Sequence, residues 1–229
     1  MITTRMLFLA GFIFAAGPLI AAAPPAPAAR IVHVSGDVTI GSNTGGRLAK
    51  KDAVLAADDS VTTGAGAVAV IELPDGSRLK LRESSRFTVA LPGTNSDVTE
   101  VFLAFGSVFA KVTKRLAGHR FRVRTPSAVA AVRGTEFFTA YGRANGKSRD
   151  LWVCVNEGAV ELETTKSKES LLVPAGKGVL IKSGLDLTKP QAYDWTKSLN
   201  WNMDDEKGAV EDKTNLDGAY ADLLDQDYR

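Results

Sequence analysis

From residue 30 to residue 189 the chain consists of short apolar runs, some alternating and some continuous, broken by Gly, Asp, Asn and Pro. Strands joined by tight turns have this signature. The pattern predicts strands over 31–34, 36–40, 60–63, 67–73, 77–81, 86–90, 99–104, 106–112, 119–125, 127–132, 135–141, 151–155, 159–164, 170–173 and 178–181. Helical periodicity is nearly absent before residue 190. In Pro74-Asp75-Gly76 proline presets one torsion and glycine accepts a positive φ, so the flanking runs fold into a hairpin. Asn156-Glu157-Gly158 predicts a second hairpin, between 152–155 and 159–162, and Asn145-Gly146 lies in the loop before it. Many short strands at regular spacing specify an all-β fold: a sandwich, a roll or a short β-solenoid.

The two ends of the chain differ from this body. Arg5 precedes an apolar run from Met6 to Ile20 and a small-residue stretch reaching Ala29, the pattern of a secretory signal. The run is shorter than the ~20 residues that span a bilayer as a helix. Cleavage is expected after Ala28, or after Ala23, where Pro24 disfavours it. No cysteine follows to carry a lipid, and no later segment is apolar enough to span, so the processed protein is expected to be soluble and periplasmic or secreted. The expected organisation is a signal at 1–28, a β domain at 30–189 and an acidic tail at 190–229.

Cys154 is the only cysteine, so no disulfide framework exists and the fold rests on its core. Within Trp152-Val153-Cys154-Val155 it is expected to be a small buried hydrophobe. Net charge is only +2, but it is unevenly spread. Residues 30–189 carry 23 Lys and Arg against 16 Asp and Glu, while residues 190–229 carry 4 against 10. A basic body and an acidic tail suggest either an anionic partner or a tail that screens the body.

The order Ser35-Gly36-Asp37-Val38, then Asp59-Ser60-Val61-Thr62-Thr63-Gly64, then Ala69 through Ser77, resembles the opening of a FecR-type periplasmic domain. Gly106-Ser107-Val108-Phe109, the run from Phe121 to Phe137 and Val153 to Val160 are similar to that family's most recognisable segments. The Thr125-Pro126 to Arg133-Gly134-Thr135-Glu136-Phe137 portion is the most specific. The resemblance runs from about residue 35 to residue 184. It implies a β-rich extracytoplasmic sensing module, of the kind that contacts a receptor's signalling domain and controls a sigma factor through a cytoplasmic segment. Here the apolar segment looks like a signal and no cytoplasmic segment precedes it, so a free-standing periplasmic binding or scaffold module is expected. The alternative is an envelope structural protein, or a glycan-acting enzyme, on the same fold.

Candidate partner-binding residues come from the strand period. Arg120, Arg122 and Arg124 share one face of their strand, with Phe121 and Val123 opposite. Arg78, Lys80 and Arg82 repeat the arrangement, with Leu79 and Leu81 inward. On neighbouring strands the two stripes would form one patch for an envelope protein or an anionic glycan; otherwise they are solvated gatekeeping faces. Arg133 and Glu136 flank a bend at Gly134 that serves either as a structural corner or as a contact point. Nucleic acid is not expected, since aromatics are not interleaved with the cations.

Enzyme chemistry finds little support. The glycines of Gly142-Arg143-Ala144-Asn145-Gly146-Lys147-Ser148 are one residue too close for a phosphate-binding loop. Ser77-x-x-Lys80 lies on a strand, where serine and lysine do not share a helical turn. His33 and His119 lack partners at metal-ligand spacing, and Asp58-Asp59 is ordinary turn chemistry. No cofactor and no catalytic residue is expected.

In the tail, Trp195, Leu199 and Trp201 supply apolar anchors, a short helix is expected over 219–224, and the last twenty or so residues are expected to be mobile. If the acidic tail covers the cationic stripes, deleting residues 203–229 should raise affinity for anionic polymers at low salt. Unchanged retention on a polyanion column would contradict it.

Overall fold

The computed structural model describes residues 29–42, 45–90, 98–114, 120–142 and 149–219. The expected signal segment, His119, the loop residues 143–148 and the stretch after 219 lie outside the described residues. Seventeen strands follow in chain order: β1 (Ala29–Ser35), β2 (Val38–Ser42), β3 (Gly45–Leu48), β4 (Val54–Leu55), β5 (Ser60–Thr63), β6 (Val68–Glu72), β7 (Arg78–Leu81), β8 (Ser85–Ala90), β9 (Val98–Lys111), β10 (Arg120–Arg124), β11 (Ala128–Val132), β12 (Glu136–Tyr141), β13 (Leu151–Glu157), β14 (Ala159–Thr164), β15 (Ser170–Pro174), β16 (Gly178–Lys182) and β17 (Asp186–Leu187). The protein is all-β, as its pattern requires.

The strands form two layers that share β9. In layer A the order is β4, β1, β6, β7, the second half of β9, β12, β13, β16 and β17. In layer B it is β3, β2, β5, β8, the first half of β9, β10, β11, β14 and β15. Between them lies the main core, which takes Ile31, Ile71, Phe137 and Val153 from layer A and Phe87, Leu103, Phe121 and Leu162 from layer B. A second apolar cluster covers the other face of layer A, where Phe109, Phe138, Trp152 and Leu180 meet Tyr193, Leu199, Met203 and Val210 of the tail.

This asymmetry explains the two kinds of strand. Layer A is covered on both faces, and β6, β12, β13 and β16 are buried almost without interruption. Among the described residues, strands of layer B are covered on one face only, and β10 and β14 alternate in burial. Continuous apolar runs go with two covered faces and alternation with one.

Two sequence expectations are corrected. Residues 99–104 and 106–112 are not separate strands: β9 runs unbroken for 14 residues and bends from layer B into layer A at Gly106. Gly106 adopts φ +91°, and a β-carbon there would lie 2.2 Å from Ser85 Oγ, so only glycine fits. Asn156-Glu157-Gly158 does not close a hairpin either. β13 pairs with β12 and β16, whereas β14 pairs with β11 and β15, so the chain changes layer there. The Pro74-Asp75-Gly76 hairpin does form: Leu73 N donates to Ser77 O at 2.8 Å, and the Asp75 carboxylate accepts from Ser77 N and Oγ, both at 2.9 Å.

The tail carries 3-10 turns at Asp194–Ser198 and Asp205–Lys207 and a helical turn at 216–219. Its residues 209–219, expected to be mobile, lie against layer A, because cations of the body hold its backbone. Trp201 packs edge-on against Phe109 at 5.2 Å between ring centroids; the side chain of Trp195 lies outside the described residues.

Gly106→Ala is expected to cost about 2–5 kcal/mol, combining backbone strain with overpacking. Gly66→Ala, at φ +68° with nothing within 4 Å of the added carbon, should cost only the left-handed penalty of about 1–2 kcal/mol. Urea denaturation of both variants measures the difference, and equal losses would refute the steric account of the bend.

Candidate functional site

The register of layer A sets three rows of side chains across its outer face. Glu72, Arg78, Lys111 and Glu136 are successive partners along one row. Val70, Lys80, Phe109, Phe138 and Cys154 form the next. Ser107, Ala140, Trp152 and Leu180 form the third, beside Arg82, whose N donates to Ser107 O at 3.1 Å. The first row is charged throughout, and the aromatic rings of the other two stand beside Lys80 and Arg82.

Lys80 and Arg82 are not outward and solvated, as the strand period alone suggested, but buried beneath the tail. The Lys80 ammonium lies 4.3 Å from the Phe109 ring centroid and donates to three tail carbonyls, Asn200 O, Asn202 O at 2.9 Å and Val210 O at 3.0 Å. Loss of water pushes its pKa down to about 8, against the opposing attraction of Asp212. Arg82 donates to Asp212 O at 3.2 Å and Thr214 O at 2.8 Å, and its Nε lies 3.2 Å from the Asp212 carboxylate. Both side chains of that ion pair are almost fully buried, at 6% and 1% exposure. Five backbone carbonyls of the tail are therefore held by Lys80 of β7 and by Arg82, which follows that strand.

Arg78 is half-buried and donates twice to Glu72 from Nε and Nη2, at 3.1 and 3.0 Å, with Asp204 of the tail 3.9 Å away. Glu72 also accepts from Arg30 at 3.0 Å. Arg30 first, then Arg78, holds the Glu72 carboxyl below its ordinary range. Glu136 is buried, accepting from Lys111 Nζ at 3.2 Å and Asn156 Nδ2 at 2.6 Å. Arg78, Lys111 and Glu136 line a cleft of about 690 Å³ whose far wall is tail residues 201–204.

Arg133 is exposed at the layer change between β11 and β12. The corner beside it is structural. Thr135 Oγ1 donates to Ala159 O at 3.0 Å, Val112 N donates to Thr135 O at 2.9 Å, and a β-carbon on Gly134 would sit 2.7 Å from Lys114 Cβ.

The second stripe lies on the other side of the molecule. β10 sits in layer B beside the first half of β9, while β7 sits in layer A beside the second half, so the bend at Gly106 separates the stripes and no single patch forms. Arg120 and Arg124 are exposed and Arg122 is half-buried, while Phe121 and Val123 face the core. Arg124 pairs with Glu100 at 3.1 Å and stands 5.8 Å from the Phe102 ring. On the far side of β11, exposed Glu161 and Glu163 of β14 occupy the same face, opposite Ala131 and Val129. The face therefore alternates acid, base and acid.

Cys154 is buried in the outer row, and burial raises its pKa further from neutrality. Asp59 accepts from Ala56 N at 3.0 Å within its turn. Among the described residues no group of His, Cys, Asp and Glu could hold a metal ion, and no helix is long and apolar enough to cross a membrane.

Two layers of short strands, with charged rows at the surface, define an all-β module. Residues 59–161, from β5 into β14, match the sequence model of the family described as FecR protein. This segment, under half of the chain, is similar to a FecR domain, and all eight candidate residues lie within it. Two crystal structures of a candidate anti-sigma factor from Parabacteroides distasonis ATCC 8503, at 1.65 and 2.50 Å resolution, share the fold with TM-scores of 0.53 and 0.52. They are 20% and 19% identical, and the alignments cover 61% of this chain and 63% and 62% of theirs. The chain thus spans under two thirds of the length of these relatives. A search of curated proteins finds no match.

Removing one partner of the buried pair leaves the other unpaired. Arg82→Ala is therefore expected to cost about 3–5 kcal/mol, whereas Arg124→Ala, which breaks an exposed pair, should cost less than about 1 kcal/mol. Equal losses in chemical denaturation would contradict this account of the tail.

Proposed function

We propose that the protein is a non-enzymatic, extracytoplasmic recognition module of a FecR-type regulatory system. The observation that carries this reading is the division of labour between the two layers. The tail occupies the outer face of layer A, and among the described residues the outer face of layer B has no such cover. Arg120, Arg122 and Arg124 stand there, held on a rigid strand with its apolar side in the core. A row of cations between acidic neighbours suits a partner of patterned charge, an envelope protein or an anionic glycan, because such patterning favours one register over others. The FecR domain and the described role of the solved relatives support a place in signalling, and the signal-like N-terminal sequence supports a periplasmic or secreted location. Arg78, Lys80, Arg82 and Glu136 serve chiefly to hold the tail and the corner; Arg133 stays with the arginine row as a peripheral contact.

Affinity capture from periplasmic extract, comparing the tagged protein with its Arg120→Ser/Arg122→Ser/Arg124→Ser variant, tests the reading. An envelope protein or glycan recovered by the first and reduced about tenfold or more with the variant is expected. Equal recovery by both would move the site elsewhere, and release of products from an envelope polymer would replace the reading with an enzymatic one.

A further inference from the structure

The charged contacts described between tail and body run one way. In each, a cation or histidine of the body faces an acceptor of the tail: Lys80 and Arg82 grip carbonyls and Asp212, Arg78 faces Asp204, and His33 and Lys51 meet Asp205 at 3.3 and 3.2 Å. The tail loop, in contrast, supplies its own shape. Asn200 Nδ2 donates to Ala209 O at 2.8 Å and Glu211 O at 2.9 Å, Asn202 Nδ2 donates to Asp204 O at 2.9 Å and Gly208 O at 3.0 Å, and Asp212 Oδ1 accepts from Asn200 N at 3.0 Å. A loop that carries its internal hydrogen bonds with it can leave as a unit, in the manner of an Ω-loop.

The body side suits departure as well. A permanently covered face is stabilised at least as well by apolar side chains as by buried ions. Cations at the centre of the face recover their hydration when the cover leaves, and they interrupt an apolar patch that would otherwise be exposed. The fit is also incomplete at one end, where a cleft of about 610 Å³ separates tail residues 211–217 from Gly66, Val68 and Ser107 of the body. Among the described residues the tail adds one β-bridge to layer A, between Gly178 and Gln191.

We infer that the outer face of layer A is a second binding surface, for an acidic protein loop presenting carbonyls and carboxylates, and that the tail occupies it as an internal ligand. The incoming loop would place an apolar or aromatic side chain on Phe109, at the position of Trp201, set carbonyls around Lys80 and bring an aspartate to Arg82. The surface is separate from the arginine row of layer B, and the outcome below does not bear on that row.

The test uses the whole chain with a protease site inserted between Lys189 and Pro190 and cut after folding, so that tail and body stay together only through these contacts. A fluorescent peptide of residues 197–216 should exchange for the cut tail, and a scrambled peptide should not. A peptide that keeps Leu199, Asn200, Trp201, Asn202, Met203, Val210 and Asp212, with serine elsewhere, should bind within about tenfold of the native sequence, because the body grips main chain and few side chains. Raising salt from about 0.05 to about 0.5 M, or introducing Arg82→Gln, should weaken exchange about tenfold or more. A cut tail that never exchanges, or a body that loses its β-sheet circular dichroism when the tail is diluted away, would make the tail a permanent part of the fold and overturn the inference. A concentration-dependent dimer of the uncut chain, seen by light scattering, would make a second copy the occupant and overturn it equally.

Discussion

The bend of β9 at Gly106 is the constraint on which the rest depends. One continuous strand belongs to both layers, so the separation of the layers and the pairing of their central strands are fixed by a single backbone path. Ser85 approaches Gly106 where a β-carbon would have to sit, and its hydroxyl joins the crossing by accepting from Ser107 N at 2.9 Å. From that point β7 and β12 flank one half of the strand and β8 and β10 the other. The same bend decides the fate of the two cationic stripes, sending one beneath the tail and the other to the open face.

The tail converts layer A from the wall of a sandwich into its middle. Rings from three strands and the tail make a continuous row across it, from Tyr193 through Trp152 and Phe138 to Phe109 and Trp201, with neighbouring centroids 4.6 to 6.3 Å apart. The two ends of that row are tail residues. Apolar contact supplies the area and Lys80 and Arg82 supply the position, since hydrogen bonds to carbonyls are directional and apolar contact is not.

Much of this was legible in the sequence and some was not, for physical reasons. The strands, the Pro74-Asp75-Gly76 turn and the FecR resemblance follow from periodicity and motif. The sequence expectation missed three short strands, β3, β4 and β17, which lack the apolar period because they lie at the edges. The Asn156-Glu157-Gly158 corner misled because a left-handed glycine serves equally to turn a strand onto its neighbour or into the other layer; only the pairing partners distinguish the two. Arg78-Leu79-Lys80-Leu81-Arg82 misled more deeply. Alternation states that two faces differ in polarity, not that the polar one is wet, and cations covered by carbonyls leave no trace in their own strand. The available signal lay a hundred residues away, in an acidic segment that also carries Leu199, Trp201 and Met203.

Covering only one of the two outer faces also shapes how this domain can vary. The buried residues of β6, β12, β13 and β16 point alternately into the central core and beneath the tail, so a change in size or polarity disturbs one or the other. The outward positions of β10, β11 and β14 answer to one side only, and their side chains can be exchanged while Phe121, Ala130 and Leu162 keep the core intact. Descendants of this scaffold can thus vary the outward positions of layer B with less cost to the architecture than either face of layer A.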